Sequence, residues 1–520
     1  MKLLLSAIAI FFAAQFQFLS AQTFYANYDP SPGNQVYFGG FQKLLPTPDN
    51  GFVAMSGVYE RVVAKLNANM EVEWAYLFDT PGSQTNYGLY DMTISNDNKI
   101  LVLGFGGGGA SKSFVVKLEM DGTLLWKKDI ESNHSVCGYY LNGKQILNAY
   151  DNGFLILGGT SEGRSMVVRM DENGNSVWGK VYDDTSSTGS YRFSNGVQDG
   201  NNAYVLASSM QSMSLIKIDD NGTILDNHHY DDGRAASYPN FLIKNGSGEY
   251  ISAGLTRDLV NNDRRQILCK FNASGGLLWH KEITVDTTFE MFNPYSVFEL
   301  YNGQIVVLGY VRDLTVNKRR TQVSRFDQNG NHLGTTIGWD AGNEYLYGGT
   351  YHDGYLYLAG ISLYDRNMLA RVDLNGMGMC NDSTVSVTTM DLMSATSNPS
   401  VSIGVSSMPV IVSNSTWNSL PYTYTRTVQC GNPVVGLEEA IDDEWLVYPS
   451  PAEGDFTLQH PVLQEGSISL FDLTGKLVWQ GPLGSGVSET RVERGIWPAG
   501  VYVLQAQGDG QVFHQKISLR

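Results

Sequence analysis

The sequence is poor in basic residues and in charged residues of either sign. It has 35 lysines and arginines against 52 aspartates and glutamates, which gives a formal net charge of −17 at pH 7. Only 17% of its residues are charged. Nucleic acids and anionic membranes are both bound through basic patches. This charge balance therefore argues against either of them as a partner.

Long apolar runs are confined to the amino terminus. A run from residue 3 to residue 19, broken by three polar residues, follows Lys2 and ends at the small residues Ser20 and Ala21. This pattern is typical of a secretory signal peptide, which we predict over residues 1–21. No later stretch approaches the length that crosses a bilayer. The sequence thus predicts no transmembrane segment.

Cysteine is scarce, with four residues in the whole chain. Cys380 and Cys430 bracket one Ser/Thr-rich segment, and an exported chain meets an oxidising compartment. We therefore predict a disulfide between Cys380 and Cys430, and buried free thiols at Cys137 and Cys269. No CxxC motif or mixed Cys/His cluster predicts a metal site.

Histidine is also scarce, and we predict no cofactor. His228 and His229 are adjacent, so on a strand they point to opposite faces and cannot share a metal. Acidic turns such as 171–174 resemble the opening of a calcium loop. They lack the glutamate at position twelve and the flanking helices of that motif. We interpret them as turns, with calcium as the alternative.

Sequence signatures of catalysis are absent as well. The chain contains no HExxH, GxSxG or GxxxxGK[ST] motif. The glycine-rich stretch at 104–110 leads into a strand, not into the helix N-terminus that would hold a phosphate. We predict no catalytic residues. Carboxylates are plentiful, however, so a paired-acid enzyme acting on polysaccharide is the alternative.

One ten-residue phrase recurs seven times and aligns without a gap. Its copies are KLNANMEVEW (65–74), KLEMDGTLLW (117–126), RMDENGNSVW (169–178), KIDDNGTILD (217–226), KFNASGGLLW (270–279), RFDQNGNHLG (325–334) and RVDLNGMGMC (371–380). The starts lie 46 to 55 residues apart. A period in this range marks a repeat architecture in which each unit buries its apolar face against its neighbours.

Each repeat reads as four antiparallel strands. The tryptophan of the phrase opens a first strand, and an Asn-Gly or Asp-Gly turn such as 173–174 closes the fourth, because these residues accept the positive φ of tight hairpins. The third strand, as at 153–158, is apolar on both faces and is expected to lie buried between sheets. Residues 24–29 resemble the Trp-opened strand, so we count seven repeats. We predict an all-β fold with a seven-bladed β-propeller over residues 22–380.

A tyrosine follows most tryptophan positions at a nearly constant distance. The set is Tyr37, Tyr87, Tyr139, Tyr191, Tyr238, Tyr295 and Tyr347. Symmetry would place these side chains in a ring at one propeller face, between the first and second strands of the repeats. An aromatic collar there would suit sugars or a peptide. Packing between blades, with each hydroxyl satisfied locally, is the other interpretation.

Two segments follow the repeats. Residues 381–430 are rich in Ser, Thr and Val and alternate enough to form two or three extra strands on the propeller edge. A disordered stalk is the alternative. Residues 431–445 are acidic and lack periodicity, which indicates a linker.

The tail over residues 446–520 carries four ordered motifs. They comprise the YPSPA start, the LFDLTGK stretch, the PAGVYVL stretch and a final strand, and their key residues are Tyr448, Pro449, Pro451, Ala452, Asp472, Gly475, Lys476, Pro498, Ala499, Gly500 and Tyr502. This tail resembles the type A C-terminal sorting domain of substrates of the type IX secretion system. It departs from that pattern at Ser450, where the family usually has Asn, and its end is only mildly basic.

The resemblance implies a small β-sandwich that serves as an export address. It implies as partners the type IX translocon and sorting machinery, and as destination the medium or the outer-membrane surface, reached through the periplasm. We expect the propeller to act in binding, adhesion or scaffolding, with a glycan or a protein as ligand. The alternative is a secreted hydrolase or lyase acting on polysaccharide.

Overall fold

The computed structural model describes residues 24–519, with gaps. The gaps longer than six residues are 31–39, 80–87, 133–140, 185–191, 374–381 and 431–445, and shorter breaks fall in other loops. Every regular element of the described part is a β-strand. Contacts divide the chain into two units, residues 1–433 and 434–520.

Seven antiparallel sheets form the first unit, and each contains one blade, whose strands we count outward. Six blades have four strands, and in blade 6 the innermost strand is divided into two. Blade 1 has β2 (Phe41–Pro46), β3 (Phe52–Ser56), β4 (Val62–Leu66) and β5 (Val72–Asp79), after β1 (Phe24–Pro30); blade 2 has β6 (Gly88–Ile94), β7 (Ile100–Gly106), β8 (Lys112–Leu118) and β9 (Leu124–Glu131); blade 3 has β10 (Leu141–Asn148), β11 (Phe154–Thr160), β12 (Ser165–Met170) and β13 (Ser176–Asp184); blade 4 has β14 (Arg192–Gly200), β15 (Ala203–Ser209), β16 (Met213–Asp219) and β17 (Ile224–Asp231).

The last three blades follow the same order. Blade 5 has β18 (Ala236–Lys244), β19 (Tyr250–Arg257), β20 (Arg264–Phe271) and β21 (Leu277–Val285); blade 6 has β22 (Phe289–Met291) and β23 (Ser296–Glu299), both paired with β24 (Ile305–Asp313), then β25 (Lys318–Phe326) and β26 (His332–Gly338); blade 7 has β27 (Tyr345–His352), β28 (Tyr355–Ser362), β29 (Arg366–Asp373) and β1.

The blade boundaries are shifted by one strand from the sequence-based repeat. Each Trp-bearing strand is the fourth strand of its blade, and the Asn-Gly turn lies within a blade, between its third and fourth strands. The amino-terminal strand β1 pairs with β29 and completes blade 7, where the sequence had suggested the first repeat. The count of seven and the propeller fold are confirmed.

The blades close into a ring. The first strands contact one another in chain order, from β2 through β6, β10, β14, β18 and β23 to β27, and β27 contacts β2. Pairing of β1 with β29 joins the start of the propeller to its end. The ring is thus held both at its inner strands and at its outer seam.

The core lies between neighbouring blades. All seven residues of β11 are buried. Phe154 and Ile156 pack with Leu101 and Leu103 of blade 2, whereas Leu155 and Leu157 of the same strand pack with residues of blade 4. Successive side chains of a strand point to opposite faces, so a strand between two sheets must be apolar throughout.

A belt of seven short strands surrounds the propeller. It consists of β30 (Asp382–Thr384), β31 (Val387–Asp391), β32 (Thr396–Asn398), β33 (Ile403–Ser407), β34 (Ile411–Asn414), β35 (Asn418–Pro421) and β36 (Tyr424–Cys430). These pair in turn with the outer strands of blades 6, 5, 4, 3, 2, 1 and 7. Residues 381–430 therefore supply seven strands, where the sequence suggested two or three. They run once around the ring in the direction opposite to the blades.

The first residue of the repeated phrase forms an ion pair inside the blade. In blades 1 to 5 this basic side chain contacts an acid at the turn between the first and second strands: Lys65 with Asp49, Lys117 with Asp97, Arg169 with Asp151, Lys217 with Asp199, and Lys270 with Glu249. Lys65 and Arg169 are 1% exposed. A buried charge needs such a partner.

The third position of the phrase closes the turn that follows. The Asp171 carboxylate accepts backbone hydrogen bonds from Asn173 (2.9 Å) and Asn175 (2.7 Å). Only the glycine of the turn has a positive φ, as at Gly174 (75°). The prediction that Asn shares this conformation is wrong, because the loop is longer than a two-residue hairpin turn. In blade 1, Met70 adopts a φ of 61° at the glycine position.

The second unit contains two small sheets. One has β37 (Leu446–Tyr448), β38 (Phe456–Gln459) and β41 (Glu489–Val492); the other has β39 (Gly466–Asp472), β40 (Leu477–Pro482), β42 (Gly500–Gly508) and β43 (Gln511–Leu519). Both sheets contribute to one apolar core, which includes Phe456, Leu458, Leu470 and Leu504. This is the packing of a β-sandwich.

Candidate functional site

One end of the propeller gathers the starts of the first strands and the connections between second and third strands. We call this end the upper face. Two of the predicted ring tyrosines are described there, Tyr295 before β23 and Tyr347 in β27. Their rings meet edge to face at 5.5 Å across blades 6 and 7. Neighbouring positions of the predicted ring are therefore brought into contact at this seam.

The other predicted tyrosines cannot be placed in this way. Tyr37, Tyr87, Tyr139 and Tyr191 lie outside the described residues, and Tyr238 is described only as part of β18. The complete collar stays a prediction.

Tyr295 belongs to a stack of three aromatic rings. Its ring lies 5.7 Å from that of Tyr310 in β24, and Tyr310 lies 4.7 Å from Phe292, each pair at an interplanar angle of 22°. Tyr310 is buried, with 7% of its surface exposed. Burial, together with the neighbouring Tyr310 and Tyr347, raises the pKa of Tyr295 well above its ordinary value. Tyr295 therefore presents a neutral phenol to the stack.

Two arginines from adjacent blades lie over this stack. The guanidinium carbon of Arg319 in β25 is 5.5 Å from the ring centre of Phe292 and 5.6 Å from that of Tyr310. That of Arg264 in β20 is 5.9 Å from Phe292. These are cation–π distances. Arg264, Phe292, Tyr295, Tyr310, Arg319 and Tyr347 form what we call the aromatic–arginine patch.

A buried amide pair supports the loop that carries Phe292. The Gln266 side chain donates to the Phe292 carbonyl at 2.8 Å and to the Gln322 side-chain oxygen at 3.1 Å. Both glutamines are fully buried. They link blades 5 and 6 directly beneath the patch. A hydrogen-bonded pair of this kind limits the positions that the loop can take.

The sequence reasoning missed Phe292, Tyr310 and the arginines. The sequence did contain a signal for the arginines. A pair of arginines stands six and five residues before the start of two phrases: Arg264 and Arg265 before Lys270, and Arg319 and Arg320 before Arg325. Because successive side chains of a strand point to opposite faces of the sheet, the two arginines of each pair face different neighbours. Arg265 contacts Glu282 within its own blade, whereas Arg264 faces the aromatic stack.

Three of the four motif residues of the tail that the structure describes fall at strand ends. Tyr448 ends β37, Asp472 ends β39 and Gly500 begins β42. Tyr502 lies opposite Asp472 in the sheet and belongs to the core, with 5% of its surface exposed. Pro449, Pro451, Ala452, Gly475, Lys476, Pro498 and Ala499 lie outside the described residues.

The cysteine predictions are tested only in part. Cys269 is free and buried, as the sequence indicated. Cys430 ends β36 opposite Tyr25, but Cys380 and Cys137 lie outside the described residues. Within the part of the chain that the structure describes, no group of three or more His, Cys, Asp or Glu side chains could hold a metal ion. The same part contains no helix long and apolar enough to cross a membrane.

Solved structures offer only distant likenesses. One is PorZ, an essential surface component of the type IX secretion system of Porphyromonas gingivalis, at 10% identity, 91% coverage of this chain, 69% coverage of that chain and a TM-score of 0.39. A protein of unknown function from Bacteroides caccae has 11% identity, 60% and 93% coverage, and a TM-score of 0.28. The WD40 domain of SCAP from fission yeast has 10% identity, 64% and 81% coverage, and a TM-score of 0.30.

The tail gives a specific match. No curated protein matches the chain, but residues 446–520 match the family model of the secretion system C-terminal sorting domain. The matched range coincides with the four sequence motifs and contains all strands of the second unit. Residues 446–520 are therefore a secretion system C-terminal sorting domain, which directs this protein to the cell surface or into the medium.

Proposed function

We propose that the propeller is an extracellular binding module, and that its aromatic–arginine patch binds carbohydrate carrying carboxylate or sulfate groups. The observation that carries the proposal is the placement of two guanidinium groups over one aromatic stack, with Arg319 5.5 Å and Arg264 5.9 Å from the Phe292 ring centre. Flat aromatic faces suit the apolar side of a sugar ring. Guanidinium groups suit planar anionic groups.

The surrounding charge supports this choice of ligand. The chain is acidic overall, at −17, so a non-specific anion is repelled at long range. An anionic sugar would be attracted electrostatically only where arginines are concentrated. Arg264 is exposed and Arg319 is half-buried, which leaves the cationic groups within reach of a ligand.

The aromatic rings beneath the arginines favour a ligand that has a sugar ring over a simple inorganic anion. Phe292, Tyr295 and Tyr347 are each half-buried, and they extend the patch across blades 6 and 7. The buried Gln266–Gln322 pair holds this surface in place before binding, which lowers the entropic cost of association.

Glycan-array binding and calorimetry test the proposal. Uronic-acid and sulfated oligosaccharides would be compared with neutral oligosaccharides of the same length. We expect Arg264→Ala combined with Arg319→Ala to weaken binding of the anionic ligands at least about tenfold, or about 1.4 kcal/mol. The matched control is Arg164→Ala on the upper face of blade 3, where Arg164 pairs with Asp183 at 3.3 Å. The control should bind normally.

A second variant separates stacking from charge. Tyr347→Ala removes the edge-to-face partner of Tyr295, and we expect weaker binding at an unchanged dependence on salt. Binding that is unaltered in the double arginine variant, or confined to neutral glycans, would contradict the proposal. Mass spectrometry of the same mixtures would reveal cleavage products if the protein acts as an enzyme.

A further inference from the structure

A tryptophan at the tenth position of the repeated phrase joins most blades to the next. Trp74, Trp126, Trp178 and Trp279 each lie over the turn glycine of the following blade, so closely that a Cβ on that glycine would come within 2.7 to 3.1 Å of the indole. Three of the indole nitrogens donate to a carbonyl two residues before that glycine, at Met120 (3.0 Å), Asp220 (2.9 Å) and Gln328 (3.2 Å).

Blade 4 departs from this arrangement. Asp226 stands where the indole would be: it lies opposite Lys217, just as Trp178 lies opposite Arg169. Here the ring of His228 covers the turn glycine of blade 5, Gly275. A lysine occupies the position of His228 in blades 2, 3 and 5, in the sequence W-x-K.

A cavity of about 410 Å³ lies at this position, between blades 4 and 5. Its walls include the apolar side chains Val205, Leu215 and Leu225, with Asp226, Tyr250 and Ala273 at its polar edge. The volume lies within the range of small-molecule sites. Leu225 is 55% exposed, so the cavity reaches the surface.

The cavity contains an acceptor for the indole N–H donor that blade 4 lacks. Ala273 stands two residues before Gly275, and its carbonyl is the counterpart of those of Met120, Asp220 and Gln328, which accept an indole N–H in other blades. His228 Nε2 lies 3.0 Å from the Asp226 carboxylate, and Lys217 is 2.5 Å from Asp199. The charges at the rim are therefore already paired.

We infer that this cavity binds a flat aromatic ring with a ring N–H donor, of the indole type. The ring enters between Leu215 and Leu225, beside the His228 ring that covers Gly275, in the cavity next to Asp226, where four other blades carry a tryptophan. Its N–H donates to the Ala273 carbonyl. The indole comes either from a free small molecule or from a tryptophan side chain of a partner peptide. The site is separate from the upper-face patch.

Titration calorimetry with three probes tests the inference on the full chain. The probes are indole, 1-methylindole, which lacks the N–H donor, and N-acetyl-tryptophanamide, which represents a peptide side chain. Indole should bind at least tenfold more tightly than 1-methylindole. Binding of N-acetyl-tryptophanamide as tight as that of indole identifies a peptide ligand, whereas its exclusion identifies a free molecule.

Two variants keep the test decisive. Asp226→Trp with His228→Lys rebuilds the W-x-K of blades 2, 3 and 5, and should abolish indole binding while raising the melting temperature. Leu225→Ala should weaken binding severalfold, and its control Leu278→Ala, at the same phrase position in blade 5, should not. No binding by the wild type, or equal binding by the rebuilt variant, overturns the inference.

Discussion

The indole nitrogen of Trp178 donates a 2.9 Å hydrogen bond to the backbone carbonyl of Asp220, across the boundary between blades 3 and 4. The same indole covers Gly222, whose turn has no room for a Cβ. A second bond crosses this boundary, from the Tyr182 hydroxyl to the Gly222 carbonyl at 2.7 Å. The fourth strand of one blade is thus attached to the hairpin of the next.

Removing this indole should loosen the boundary. We expect Trp178→Ala to lower the free energy of unfolding by about 2 to 4 kcal/mol, since it removes a large ring and leaves a carbonyl without its donor. Asp226→Ala, at the same phrase position of blade 4, should cost less than about 1 kcal/mol. Urea unfolding followed by tryptophan-independent far-UV circular dichroism measures both. Equal losses would show that the indole contact contributes nothing particular.

Acid should destabilise the propeller through the turn carboxylates. Burial would raise the pKa of Asp49, but hydrogen bonds from Thr47, Lys65 and the Gly51 backbone, with the Lys65 charge, lower it to about 2. The pKa values of Asp97, Asp151 and Asp199 are lowered as well, because their basic partners and hydrogen bonds outweigh the effect of burial, which would raise them. The pKa of Glu249 is lowered chiefly by its hydrogen bond from Lys270.

The sign follows from the direction of these shifts. A carboxyl whose folded pKa is depressed stabilises the fold above its unfolded pKa of about 4, and this contribution is lost as the pH falls through the folded pKa. The melting temperature should therefore decline between about pH 4 and pH 2. Asp49→Asn should flatten the decline, whereas Glu172→Gln at an exposed turn should not. A melting temperature that is constant over this window would refute the linkage.

Deleting the belt should expose the outer edge of every blade. Each outer strand pairs with a belt strand over three to six residues, as β13 does with β33. We expect a chain lacking residues 381–430 to melt at a lower temperature and to self-associate, because unpaired edges template further pairing. Scanning calorimetry and light scattering check both effects. A monomer with an unchanged melting temperature would show that the belt is dispensable.

The predicted Cys380–Cys430 disulfide is tested on the full chain, because the chain without residues 381–430 lacks Cys430. Peptide mapping without reduction should find the two cysteines linked, and Cys269 free. If Cys430 is found alkylated, the belt is held by strand pairing alone.

Local patterns explain what could be predicted. The recurring phrase shows the strand period and the turn glycines, because hairpins form between residues close in sequence. It also predicts the buried strand, as in β11, from apolar residues on both faces. The blade boundary was displaced because β1 pairs with β29, far along the chain. No local feature of residues 24–30 distinguishes that pairing from membership of the first repeat.

The aromatic–arginine patch was likewise predicted only in part from local sequence. Tyr295 and Tyr347 were found from their spacing, and their contact follows from blade order. Phe292 was not found because it lies in the one connection with a longer tyrosine spacing. Tyr310 was not found because, among the aligned positions of the other repeats, only Phe105 is also aromatic. Arg264 joins them from the neighbouring blade.

The sequence alone determined the strand period, the seven-fold count and the export address, since each is encoded in contiguous residues that act locally or are matched as a motif. Tertiary structure decided the seam at β1, the circular belt, the upper-face patch and the cavity at Asp226. Each of these depends on contacts between segments of neighbouring blades or of the two chain ends. Closure of the ring sets those contacts, and no short stretch of sequence specifies them.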